Sequence, residues 1–266
     1  MQTEDAQLYL VIHDGIGEIV LNRLDKYNAF NLEMWRRLGE IVSSCARDPS
    51  VSVVLVRSVD SFVFCAGGDI SEFSSLRKDS VTNRVYSQAV INAVMGLKHL
   101  PKPTLAMVSG LCIGGGAEIA VACDLRFSAS TLRMGIPPAH LGFVYDVAET
   151  KMLVDLVGPS HAKDMLFSGR LLGADEAYQI GLVDRVFKDE QLFQETLGYI
   201  HLLLANAPNS IQGSKAIVDG LIAGAPVDDP RLKQIVDDSL DSSQYQEGVR
   251  AFLEKRKPHF GHMEHF

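Results

Sequence analysis

The stretch "VSVVLVRS" (51–58) constrains the fold more than any other in this chain of 266 residues. A strand with one wet face alternates apolar and polar side chains, whereas this one is almost continuously apolar and rich in valine. It predicts a strand covered on both faces, as in a parallel sheet flanked by helices. "PTLAMVSG" (103–110) repeats the signal.

The segments around these runs alternate in the same sense. "LYLVIHDGIGEIVLNR" (8–23) predicts two strands around the turn His13-Asp14-Gly15. "NLEMWRRLGEIVSSCARD" follows, with Met34, Leu38, Ile41, Val42 and Cys45 on one helical stripe and Asn31 as N-cap. A loop, "VDSFVFCAGGDISEF", leads to an amphipathic helix near 82–98, and "GGGAEIAVACD" opens another helix. "LRFSAS" and "LRMGIP" predict short strands. Strands and helices thus run in ββα fashion to about residue 145. From 147 onward the pattern is mostly helical, with long helices over 189–206, 209–222 and 230–256 and one strand, "LVDRVF", among them. Hydrophobic residues make up 47% of the chain, enough for one large core. The expected organisation is a ββα core over 1–188 and a helical region over 189–266. A helical tail without its own complete core often packs on a partner subunit.

The formal net charge is -8 and the isoelectric point about 5.5, which argues against a nucleic-acid partner. An anionic ligand must then be held by a few local Lys or Arg residues. Cys45, Cys65, Cys112 and Cys123 form no CxxC pair and lie in apolar stretches, so buried free thiols are expected. The start, "MQTEDAQLYL", carries no signal-peptide pattern, and no run reaches the length of a membrane span. A cytoplasmic location is expected.

Two glycine-rich strand ends carry the candidate chemistry. In "LCIGGGAEIAVACDL" (111–125), three glycines lie between a strand and a helix, where free backbone N–H groups can bind a negative oxygen or simply allow a tight turn. Glu118 follows in the first turn of an otherwise apolar helix. The helix dipole favours an acid there. Its neighbours Ala117, Ile119, Ala120 and Val121 predict a desolvated carboxyl, which suits proton transfer. In "CAGGDISEF" (65–73) a glycine pair precedes Asp69, expected to cap a short helix. Together the two loops can aim two N–H groups at one oxygen. No GxSxG, GxxxxGK[ST] or HExxH pattern occurs. His259, His262 and His265 have metal-like spacing but lie at the extreme C-terminus, expected to be a frayed, solvated end, and no metal is expected. His99 and His140 read as structural.

Taken together, "IVLNRLDKYNAFN", "FVFCAGGDISEF", "SGLCIGGGAEIAVACDLRFS", "GRLLGADEAYQIGLVDRVF" and "AFLEKRKPHF" resemble, in order and spacing, the blocks of the crotonase (enoyl-CoA hydratase/isomerase) family over essentially the whole chain. The resemblance implies an α/β fold, a crotonase-like spiral of ββα units with a helical C-terminal trimerisation region. It also implies a homo-oligomer, a trimer or a dimer of trimers, acting on an acyl-CoA thioester in fatty acid metabolism. Coenzyme A then belongs to the substrate and no separate cofactor is implied. The thioester oxygen would sit between the N–H groups of Gly68 and Gly115, and Glu118 falls on the first of the two catalytic glutamates of the hydratases. Lys26, Ala29, Gly68, Asp69, Ile70, Phe252 and Lys255 fall on coenzyme A contacts.

One departure matters. The second hydratase glutamate should follow twenty residues after Glu118, but "MGIPPAHLGFVYD" places Pro138 there. Asp146 lies eight residues further on, where some relatives in the resemblance carry a working aspartate; it can equally cap the helix starting near Ala148. The reaction implied first is enoyl-CoA hydration. Double-bond isomerisation of enoyl- or dienoyl-CoA, hydrolysis, decarboxylation, or a catalytically quiet acyl-CoA-binding role stand as alternatives.

Overall fold

A computed structural model describes residues 6–260. The chain opens with the hairpin β1 (Leu8–His13) and β2 (Ile16–Leu21), then α1 (Leu32–Arg47) and β3 (Val53–Ser58). Next come β4 (Val63–Cys65), the short α2 (Phe73–Leu76), α3 (Asn83–Lys98), β5 (Thr104–Val108) and β6 (Leu111–Ile113). The core continues through α4 (Gly115–Ala122), β7 (Leu125–Ala129), β8 (Arg133–Gly135), α5 (Val147–Ser168), β9 (Leu172–Gly173), α6 (Ala174–Gln179) and β10 (Arg185–Phe187). Four helices end the chain: α7 (Asp189–Leu204), α8 (Pro208–Ile222), α9 (Pro230–Leu240) and α10 (Ser243–Leu253).

The strands form a six-stranded sheet, β1-β2-β3-β5-β7-β10, and a four-stranded sheet, β4-β6-β8-β9. Each turn of the chain gives one strand to each: β3 then β4, β5 then β6, β7 then β8. From β2 to β10 the large sheet is parallel, and β1 closes its edge antiparallel across Asp14-Gly15, both at positive φ (47° and 80°). This is the expected spiral of ββα units.

The valine-rich run is buried on both sides, as its composition requires. Val54 and Val56 of β3 enter the main core with α1, α3 and α4, whereas Val53 and Leu55 enter a second cluster on the opposite face. That second face is covered by Leu192 and Ile200 of α7. Helix α7, on the far side of the expected boundary at residue 188, therefore completes the core of the preceding residues. Helices α8 to α10 differ, since Ala251 is their one buried apolar side chain. All four cysteines are buried free thiols.

Local signals place the elements. Asn31 caps α1 by accepting from the Met34 N–H at 2.8 Å, worth about 1 kcal/mol. Helix α5 breaks at Gly158 (φ 76°), where Pro159 starts a second helical stretch. The single helix expected over 230–256 is two helices instead. Ser242 accepts from the Tyr245 N–H at 3.1 Å and so starts α10, because a serine hydroxyl that satisfies a free N–H favours a new helix start over continuation of the old helix. Among the described residues no helix is long and apolar enough to cross a membrane, and no cluster of His, Cys, Asp and Glu could hold a metal ion. His259 is described, its N–H donating to Glu247 Oε1 at 3.0 Å. His262 and His265 lie outside the described residues.

Candidate active site

The two glycine loops meet. Gly114 leaves β6 at φ 52° and ψ -118°, backbone geometry that glycine tolerates, and Gly115 begins α4. As the first residue of a helix, Gly115 has an N–H with no intrahelical acceptor. In the other loop Gly67 O accepts from the Phe30 N–H at 2.7 Å, and the Asp69 N–H donates to Phe30 O at 2.8 Å. The Gly68 N–H between them takes no part in that bridge. A Cβ placed on Gly115 would lie 3.6 Å from Gly68 N, so the two loops are in contact.

Glycine is needed here for a reason the sequence alone concealed. A Cβ on Gly115 would come within 2.8 Å of Trp35 Cζ2, and one on Gly68 within 2.8 Å of Tyr86 Oη. Trp35 and Tyr86 are buried and joined to each other, with the Trp35 indole N–H donating to Tyr86 Oη at 3.0 Å. The protein's own wall fills the space that a side chain would take.

Glu118 sits in the first turn of α4, only 5% exposed, beside a cavity of about 230 Å³ that Gly68 and Gly115 also line. No group among the described residues hydrogen-bonds to its carboxylate. Burial pushes the Glu118 carboxyl well above the usual carboxylate range; the charge of Glu149 adds to this and Arg77 opposes it. The shift favours the protonated form, which makes Glu118 a potential donor to whatever occupies the cavity.

Two further residues of the cavity escaped the sequence reading. Arg77 follows α2, its guanidinium 4.4 Å from the Phe73 ring centroid and 4.7 Å from that of Phe143, and its Nε–H donates to Asn83 Oδ1 at 3.0 Å. Glu149, half-buried on the first turn of α5, lines the cavity as Glu118 does. Burial is the main cause of its rise to about 7, partly offset by a hydrogen bond from the Asp146 N–H. A signal for Glu149 did exist, since "DVAE" is a capping-box pattern at a helix start already expected near Ala148. What the sequence could not display is that this helix end faces the cavity.

Asp146, the acid singled out from the sequence, also lines the cavity but is the N-cap of α5. Its Oδ1 accepts from the Ala148 N–H at 3.0 Å, and its own N–H donates to Glu149 Oε2 at 3.3 Å. Pro138, the buried first residue of a 3₁₀ turn, lies on the same wall.

The residues expected to hold coenzyme A divide into two groups. Asp69 caps a 3₁₀ turn by accepting from the Ser71 N–H at 3.0 Å, and pairs with Arg23 at 2.8 Å. The same Arg23 donates to Ala29 O at 2.8 Å, so one arginine fastens the Ala29 segment to the Gly68–Ile70 loop. Lys26 is exposed beside it, and Ile70 lies at the mouth of the cavity, 61% exposed. Phe252 and Lys255, in contrast, do not line this cavity. Phe252 is 84% exposed at the end of α10, on an apolar groove with Tyr245 and Val249.

Known proteins resemble this chain over nearly its whole length. A family model described as enoyl-CoA hydratase/isomerase matches residues 11–263. The chain is 30% identical over 251 residues to the crotonyl-CoA hydratase of Syntrophomonas wolfei, covering 93% of this chain and 95% of that protein. It is 29% identical to the mitochondrial methylglutaconyl-CoA hydratase of Mus musculus, over 92% of this chain and 79% of that one. Among solved structures, an enoyl-CoA hydratase/carnithine racemase from Magnetospirillum magneticum superposes with a TM-score of 0.94 at 34% identity, covering 98% of this chain and 97% of that chain.

Proposed function

Because the chain belongs to the enoyl-CoA hydratase/isomerase (crotonase) family, we propose that it adds water across the α,β double bond of an enoyl-CoA thioester through a stabilised enolate. One observation carries the reading: a buried carboxyl, Glu118, which has no hydrogen-bond partner among the described residues, lines one cavity with two glycines from separate strand ends. As water adds at the β-carbon, charge moves onto the thioester oxygen. In this reading that oxygen lies between the Gly68 and Gly115 N–H groups, which are fixed before the reaction begins. One such donor is worth roughly 10²–10³ in rate. Glu118 then delivers its proton to the α-carbon.

A second reading, double-bond isomerisation, is favoured by Pro138, because moving a proton between two carbons of one substrate needs a single acid/base and no activated water. Mere acyl-CoA binding is less well supported, since holding the ligand does not require an acid buried at a cost in stability. Crotonyl-CoA, together with a panel of enoyl- and dienoyl-CoA esters, tests these readings when the products are identified. A 3-hydroxyacyl-CoA product supports hydration, a shifted double bond replaces it with isomerisation, and no turnover of any ester leaves the binding role.

The assembly belongs to the same proposal. Leu240, Tyr245, Val249, Phe252 and Leu253 are exposed on helices that bury almost nothing within one chain. Self-association over these helices, in a multiple of three subunits, covers them and brings Phe252 and Lys255 to a neighbouring copy. Light scattering at micromolar concentration is expected to give a trimer or hexamer mass, and a monomer mass rules this assembly out.

A further inference from the structure

We infer that Glu149 is the second catalytic carboxylate of this site, taking a proton from water while Glu118 protonates the substrate's α-carbon. The inference rests on the hydration reading and supplies the partner that Pro138 removes from its usual place.

The argument starts from what hydration demands. Two proton transfers occur at opposite ends of one double bond, so one group must accept a proton while another donates one. Glu118, Asp146 and Glu149 are the carboxyl groups lining the cavity. Asp146 has its carboxylate on the Ala148 N–H at 3.0 Å, in the plain role of a helix cap. Glu149 accepts a single, long hydrogen bond of 3.3 Å from the Asp146 N–H, which leaves most of its acceptor capacity unused. It occupies the third position of α5, where side chains lean back towards the helix start, and that start faces the cavity.

The charges around the pair suit unequal roles. Arg77 lowers both carboxyls, the Asp146 charge raises Glu149, and the charge of Glu149 raises Glu118. The Tyr145 and Tyr86 hydroxyls, both raised by burial, stay neutral beside them. Two interacting acids that share one cavity separate into one that holds its proton and one that releases it near neutrality. Glu118, the more deeply buried, keeps the proton, and Glu149, at about 7, exchanges it.

The step balances. Water's O–H bond breaks, its oxygen bonds to the β-carbon, and its proton passes to the Glu149 carboxylate. The C=C electron pair moves to form the enolate, which takes the Glu118 proton at the α-carbon. Glu149 then returns its proton to Glu118, directly or through solvent, and the pair is restored.

Glu149→Gln separates this role from capping, because glutamine also serves at the third position of a capping box. With crotonyl-CoA, kcat is expected to fall about 10²–10⁴-fold, with KM nearly unchanged and no loss of Tm. In the unmodified enzyme kcat/KM should fall at low pH as Glu149 gains a proton, and this limb should vanish in Glu149→Gln. If the unmodified enzyme hydrates crotonyl-CoA and Glu149→Gln keeps more than a third of its kcat, the inference is overturned while the hydration reading stands. An equal loss in Asp146→Asn with Glu149→Gln unaffected also overturns it, by moving the role to Asp146. If the unmodified enzyme hydrates no ester, the hydration reading fails and the inference falls with it.

Discussion

Glu118→Gln is expected to lower enoyl-CoA turnover by about 10²–10⁴-fold while acyl-CoA affinity changes little. The amide has the shape of the carboxyl but cannot pass a proton to carbon, and Glu118 lies among small apolar neighbours where no other acid can take its place on α4. The same substitution should raise stability at alkaline pH. In the folded chain Glu118 titrates above its ordinary range, so the native state keeps a proton that the unfolded chain has already released. The unfolded state therefore binds fewer protons, and stability is lost as pH rises from the ordinary glutamate value. Glu149 adds to this loss up to about 7. Glutamine at 118 removes Glu118's share, so the Tm of Glu118→Gln should exceed that of the unmodified enzyme at pH 8, with the gap closing towards pH 4.5. Stopped turnover combined with a higher Tm at pH 8 is the pattern of a residue kept for chemistry at a cost in stability. Near-normal turnover would assign Glu118 a purely structural place at the start of its helix.

Gly115→Val should abolish measurable turnover for a different reason. The new Cβ would press within 2.8 Å of Trp35 Cζ2, and the ring behind it is 1% exposed and hydrogen-bonded to Tyr86. Either the ring or the glycine loop must move, and Tyr86 itself backs Gly68, so both N–H groups lose their relative placement. Losing one oxyanion donor costs roughly 10²–10³ in rate, and disturbing two costs more. Overpacking of this kind destabilises by about 1–3 kcal/mol. The fold should therefore survive, as an unchanged circular dichroism spectrum and a single, lower melting transition would show. A folded variant with turnover near that of the unmodified enzyme would remove Gly115 from the oxyanion site.

Much of this was legible in the sequence. The continuous apolar character of Val53–Val56 required a strand covered on both faces, and Asn31 marked a helix start by local chemistry that does not depend on the rest of the fold. Glu118 stood out because its neighbours in the helix are all small or apolar, and those neighbours travel with it wherever the helix goes. Side chains close in sequence on one element announce themselves this way, as do the five family blocks with their fixed spacing.

What tertiary structure decided depends on segments distant in sequence. Trp35 and Tyr86 are 51 residues apart, and only the packing of α1 against α3 makes them the wall that excludes a side chain at Gly68 and Gly115. Glu149 and Asp146 lie three residues apart and read alike as acids at a helix start. Backbone geometry gives the cap to Asp146, and the placement of α5 at the cavity gives Glu149 a site beside Glu118. The sequence determined that an acid stands in an apolar helix; the meeting of α4 and α5 at one cavity decided which second acid it meets. The physical reason is that electrostatic coupling follows distance and burial, which only the folded arrangement of the chain sets.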